Sequence, residues 1–151
     1  MDQHLRELYQ EIILDHSRHP RHFGALAQAN HIAEGHNPLC GDKVKIYLKV
    51  DSNDRIADAA FEGKGCAISV ASASLMTEML KGRTTHEVEQ LMGGFLHLVK
   101  GEDATALDID DRERLEVMAG VSAFPMRVKC ATLAWHAMKA ALEGDAVART
   151  E

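Results

Sequence analysis

The sequence predicts an α+β domain: a small antiparallel β-sheet with α-helices packed on one face and a site at one end of the sheet. Three observations lead there. Val44, Ile46, Leu48 and Val50 alternate with Lys45, Tyr47 and Lys49, the period of a half-buried strand. Longer segments repeat apolar residues every three or four positions, the period of a helix. The three cysteines, Cys40, Cys66 and Cys130, all fall near predicted element ends.

Leu5, Leu8, Tyr9, Ile12 and Ile13 recur at helical spacing, so an amphipathic helix is expected over about 2–17, ended by Pro20 and Gly24. The segment 15–24 is dense in His and Arg and reads as an extended loop, because a residue before proline avoids helical angles. His16, His19 and His22 have a spacing that could bind metal, but a solvated or partner-facing loop is the favoured reading. A short strand near 31–35 is only weakly signalled. The strand over 44–50 is followed by the turn Asp51-Ser52-Asn53-Asp54 and a returning strand over 55–62, with Ile56 and Phe61 as its larger apolar residues.

After Gly63-Lys64-Gly65 a helix is expected over 67–81, stopped by Gly82. Thr84 and Glu87 form a capping-box pattern ahead of Val88, Leu91, Met92, Phe95, Leu96 and Val99, a core-facing stripe that ends near Gly101. Residues 102–110 are acidic and turn-like, a short helix is expected over about 111–119, and 120–125 connect it onward. Pro125 suits the first turn of a last helix reaching about Glu143, with Ala131, Ala134, Trp135, Met138 and Leu142 on one face. Residues 145–151 read as a frayed tail.

A chain of 151 residues fits one domain, and a fold of that size buries roughly 70% of its unfolded surface without staples. The formal charge of −6 argues against a nucleic-acid partner, which calls for a basic face. The start lacks a basic n-region and no apolar run reaches membrane-spanning length, so neither a signal peptide nor a membrane span is expected. Three cysteines cannot all pair internally, which suits free thiols in the reducing cytoplasm.

Asp42 lies two positions after Cys40, so three sulfurs and one carboxylate could close a four-ligand shell. Cys66 beside Lys64 at a helix start, and Cys130 beside Arg127 and Lys129, are expected to hold more thiolate than a free cysteine. Any one of these cysteines alone could equally be a small buried hydrophobe, and Asp42 alone a turn cap. The glycines around Cys40 and Cys66 favour accessible thiols.

Asn-Pro-Leu-Cys-Gly-Asp at 37–42, Phe-Glu-Gly-Lys-Gly-Cys-Ala-Ile-Ser at 61–69 and Arg-Val-Lys-Cys-Ala-Thr-Leu-Ala-Trp at 127–135 resemble the three cysteine motifs of the IscU/NifU N-terminal family of iron-sulfur cluster assembly. Leu14-Asp15-His16 and His19-Pro20-Arg21-His22-Phe23-Gly24 are also similar to its opening, so the resemblance spans nearly the whole chain. Two departures point to the SufU branch. Lys129 stands where IscU proteins carry His, and extra residues between about 102 and 120 lengthen the interval from Cys66 to Cys130. Phe124-Pro125-Met126-Arg127-Val128-Lys129 also replaces the chaperone-recognition segment of IscU, which argues against chaperone-driven cluster release.

The resemblance implies zinc held by Cys40, Asp42, Cys66 and Cys130, with Arg127 assisting exchange with a partner. It further implies that a His of a SufS-type cysteine desulfurase displaces Cys40, which then accepts persulfide sulfur for a downstream Fe-S assembly scaffold. Thiolates hold iron-sulfur clusters as well as zinc, so the alternative is a scaffold building a transient [2Fe-2S] cluster on the same residues. A purely structural zinc module would need closed ligands, which the loop-borne Cys40 argues against. A cysteine hydrolase lacks a recognisable His and Asn or Asp arrangement.

Overall fold

The computed structural model describes residues 3–38 and 40–148. Its order is α1 (Gln3–Arg18), β1 (His31–Asn37), β2 (Asp42–Val50), β3 (Ile56–Lys64), α2 (Ala67–Leu80), α3 (Thr85–Val99), α4 (Ile109–Leu115), a 3-10 helix (Glu116–Ala123) and α5 (Pro125–Glu143). The three strands form one antiparallel sheet in the order β1-β2-β3. Helix α5 lies against β1 and β2, and α2 lies against β3 and α5. The predicted α+β architecture is the one found.

Strand β2 is the central strand, and its inward residues Val44, Ile46 and Leu48 are buried. Register pairs Ile46 with Ala33 on one side and with Phe61 on the other. Trp135 and Phe95 are fully enclosed and stack with ring centroids 4.5 Å apart, joining α5 to α3. Trp135, Met138, Phe61 and most of the α3 stripe are therefore core, as the periodicity predicts. The capping box of α3 is also present: Glu87 N–H donates to Thr84 Oγ1, and Thr84 N–H donates to Glu87 Oε1.

Several expectations need correction. The strand near 31–35 is a full seven-residue element, because β2 offers it a continuous partner from His31 to Asn37. The helix expected over 111–119 instead begins at Ile109, where Asp108 accepts the Asp111 N–H at 2.9 Å, and it tightens into the 3-10 helix at Glu116. The β-branched Val117 and Val121 and the flexible Gly120 disfavour continuing as α-helix. In α1 the apolar stripe is only partly used. Tyr9, Ile12 and Ile13 pack on the core, whereas Leu5 and Leu8 are exposed.

The end of the chain is anchored at least to residue 148. Glu34 N–H donates to Ala146 O at 2.9 Å and Ala148 N–H returns a bond to Glu34 O at 2.7 Å, adding a short parallel bridge to the edge of β1. The rest of the expected frayed tail, 149–151, lies outside the described residues.

Candidate metal centre

Asp42 opens β2 directly opposite Asn37, the last residue of β1, so it sits at one end of the sheet. The connection between them is a tight turn in which Cys40 N–H donates to Asn37 O at 3.3 Å. Gly41 takes φ +71°, a left-handed conformation that an L side chain would strain, and this brings the chain from Cys40 into the strand. Leu39 of this motif lies outside the described residues. At the same end of the sheet, β3 runs through Gly65 into Cys66, the N-cap of α2. Cys66 Sγ accepts the Ser69 N–H at 3.5 Å, satisfying one of the unpaired donors of the helix start. Cys130 comes from the N-terminal part of α5.

These elements bring four side chains together. Cys130 Sγ lies 3.6 Å from Cys40 Sγ. One ligand atom from each of Cys40, Asp42 and Cys130 lies within 4.8 Å of the others. Cys66 stands beside that trio, with its Sγ 4.0 Å from Asp42 Oδ2 and its backbone N–H donating to Asp42 Oδ1 at 2.9 Å. Exposure is graded across the group: Cys40 is exposed, Cys66 half-buried, and Cys130 and Asp42 fully buried.

The electrostatics correct one expectation. Burial, and then hydrogen bonding with Asp42 and Cys40, pushes the Cys130 thiol well above the ordinary cysteine range. The nearby basic residues do not outweigh this, because Cys130 faces the other acidic groups while Lys129 is exposed. Arg127 is exposed as well, and its guanidinium is held more firmly in the charged form by Cys66 and then Cys130. It is a cation adjoining two of the three thiols.

The NifU-like N terminal domain model matches residues 8–94, more than half of the chain. The chain belongs to that family. It is 39% identical over 136 residues to the zinc-dependent sulfurtransferase SufU of Bacillus subtilis, covering 89% of each chain. It is also 39% identical over 145 residues to the iron-sulfur cluster assembly scaffold protein IscU of Streptococcus pyogenes, covering 96% of this chain and 89% of that one. Among solved structures, the SUF-system protein FiSufU of Fervidobacterium islandicum is similar with a TM-score of 0.76 and 35% identity, over 93% of this chain and 99% of that one.

Within this NifU-like fold the donor set fits a divalent cation. Two thiols and a carboxylate converge at one end of the sheet with the Cys66 thiol beside the carboxylate, and a fully buried carboxylate crowded by thiols calls for positive charge. Sulfur donors with one oxygen match the ligand preferences of zinc, and thiolates also suit iron. One detail escaped the sequence reading. A Cβ on Gly65 would fall onto the Asp42 side chain, so glycine there admits the carboxylate to the Cys66 turn. The Gly63-Lys64-Gly65 pattern signals a turn, but only the fold shows what approaches it.

Among the described residues, two histidines of the NifU-like opening are engaged with hydroxyls of α2 rather than grouped with other ligands. His16 is buried with Nδ1 2.7 Å from Ser74 Oγ, and His22 Nδ1 lies 3.2 Å from Thr77 Oγ1. Arg21 N–H also donates to Ser74 Oγ at 2.9 Å, and the Arg21 side chain pairs with Asp15 at 2.7 Å. The segment is fastened to α2 on one side, while Asp15, Arg18, His19, His22 and Phe23 remain exposed. An apolar groove of about 850 Å³ also borders Cys66, between α1 (Tyr9, Ile13) and Val121 and Phe124, with Arg6 and Arg127 beside it. No sequence signal marks it, because its two walls are far apart in the chain.

Proposed function

We propose that this protein serves iron-sulfur cluster assembly as a zinc-dependent sulfurtransferase that accepts persulfide sulfur from a cysteine desulfurase onto Cys40. Cys40, Asp42, Cys66 and Cys130 would hold the zinc, which as a Lewis acid keeps thiols deprotonated at neutral pH. The observation that carries the reading is the grading of the four side chains: Cys40 alone is exposed, on a turn, while it remains 3.6 Å from buried Cys130. An incoming persulfide can reach Cys40 without disturbing the core.

The chemistry is thiol exchange. The Cys40 thiolate attacks the outer sulfur of the desulfurase persulfide, a new S–S bond forms at Cys40, and the desulfurase cysteine leaves as a thiolate. Asp42, through its bond to the Cys66 N–H, holds the loop opposite. Arg127, exposed next to Cys66 and Cys130, offsets the negative charge that thiolates bring together. A SufS-type desulfurase, a downstream assembly scaffold as acceptor and a cytoplasmic setting complete the proposal.

The second reading is a scaffold that assembles and donates a [2Fe-2S] cluster on the same residues, which the likeness to IscU proteins supports. Alanine formation by a cysteine desulfurase, with and without the zinc-loaded protein, separates the two. Stimulation that disappears in Cys40→Ala supports transfer. No stimulation, with iron and sulfide uptake giving a cluster absorbance, supports the scaffold.

A further inference from the structure

The cysteines sit on separate elements, so their spacing depends on how α2 is set against α5. Cys66 caps α2 and Cys130 belongs to α5. About one and a half helical turns into α2, Ser72 meets α5 in the closed core. Its Oγ–H donates to Ala131 O at 2.6 Å, and the same oxygen accepts the Trp135 Nε1–H at 3.1 Å. Ser72, Ala131 and Trp135 are each no more than 1% exposed, so water cannot substitute for the hydroxyl. Ala131 adjoins Cys130 in sequence, which places this bond one residue from the buried thiol.

We propose that Ser72 is a positioning residue: its hydroxyl ties α2 to the Ala131 carbonyl and thereby sets Cys66 against Cys130 for metal binding. The inference rests on the metal-binding reading of the site. A serine inside a helix normally turns its hydroxyl back to its own carbonyls or out to solvent, whereas this one is spent between helices. It both donates and accepts, so no apolar residue of similar size reproduces it. Trp135 is held separately by stacking on Phe95, which makes the indole bond a support of the core and the Ala131 bond the link to the thiols.

The test compares wild type, Ser72→Ala, Ser72→Thr and Trp135→Phe. Zinc affinity is read by competition with a chromophoric chelator, the cobalt(II) spectrum reports the thiolate environment, and thermal unfolding reports stability. Ser72→Ala is expected to bind zinc about tenfold more weakly and to alter the cobalt spectrum, in the range seen for residues that orient ligands. Ser72→Thr keeps the hydroxyl and is expected to restore both. Trp135→Phe keeps the Ser72 to Ala131 bond, so it is expected to lose stability while retaining affinity and spectrum.

A folded Ser72→Ala with wild-type affinity and spectrum overturns the proposal, and so does a Ser72→Thr that folds but binds like Ser72→Ala. Should Ser72→Ala fail to fold, Ser72→Cys decides, because it keeps the size but donates only weakly: weakened metal binding with an altered cobalt spectrum supports the proposal and wild-type binding overturns it. A wild type that takes up neither zinc nor cobalt removes the metal reading itself, an outcome distinct from the failure of Ser72.

Discussion

Asp42 and Cys66 are joined by a 2.9 Å hydrogen bond from the Cys66 backbone N–H to Asp42 Oδ1, which ties the start of β2 to the start of α2. The carboxylate is fully buried, and its second oxygen faces the Cys66 sulfur. Asp42 thus acts on the loop as well as within the donor set. Asp42→Ala strips the half-buried Cys66 N–H of its acceptor and is expected to cost about 1 kcal/mol of stability in the metal-free protein. Asp42→Asn keeps an acceptor and is expected to recover most of that stability while still weakening zinc binding. Urea unfolding and chelator competition read the two effects apart.

Gly65→Ala tests the same contact from the other side. The added Cβ falls on the Asp42 side chain, so the turn must shift. Weakened zinc binding is expected, with helix content by circular dichroism unchanged. Wild-type affinity would mean that the turn yields without moving Asp42.

Thiol reactivity is expected to follow the grading of burial once a chelator has removed the metal. Alkylation should proceed at Cys40 first, then Cys66, and last at Cys130, which is enclosed and whose thiol burial keeps protonated. Peptide mass spectrometry over a time course gives the order. In the zinc-loaded protein all three are expected to be slower.

Two histidines predict acid sensitivity. Burial, with Arg21 for His16 and Lys139 for His136, holds both imidazoles below their ordinary value of 6.5. The unfolded chain therefore binds more protons than the folded one below that pH, so stability falls as pH drops from 6.5 to the lower folded values. Above 6.5 the contribution is fully present. Urea midpoints of the metal-free protein at pH 7.5 and 5.5 should show the loss, and His136→Gln should reduce it.

The segment after α3 is pinned by Arg83, whose side chain donates to Asp111 Oδ1 at 2.6 Å and to Met79 O at 2.6 Å. Arg83→Ala leaves a nearly buried carboxylate unpaired and is expected to cost about 2 kcal/mol, measured by chemical unfolding. Because α4 leads through the 3-10 helix to α5, increased proteolysis within 102–123 should accompany the loss.

The sequence carried those parts of the fold that depend on local chemistry. The alternation in β2, the capping box at Thr84 and Glu87, and Pro125 at the start of α5 are legible because each acts within a few residues. Strand β1 was faint, since Gly35, His36 and Asn37 have little intrinsic strand preference and the pairing with β2 holds them there. In α1 the apolar period was plain, but periodicity does not tell which part of a stripe will be covered, and Leu5 and Leu8 stayed exposed. At the site, the cysteine motifs were readable by resemblance. The buried state of Cys130, the tether from Asp42 to Cys66 and the use of His16 against Ser74 were not, because each depends on elements distant in the chain.

The most direct test of the central claim is mass spectrometry of the Cys40 peptide after one turnover of a cysteine desulfurase with cysteine and the zinc-loaded protein, trapped by alkylation. The account predicts the added mass of one sulfur atom on Cys40 and none on Cys66 or Cys130. An unmodified Cys40, with sulfur retained on the desulfurase or found on another cysteine, would contradict it.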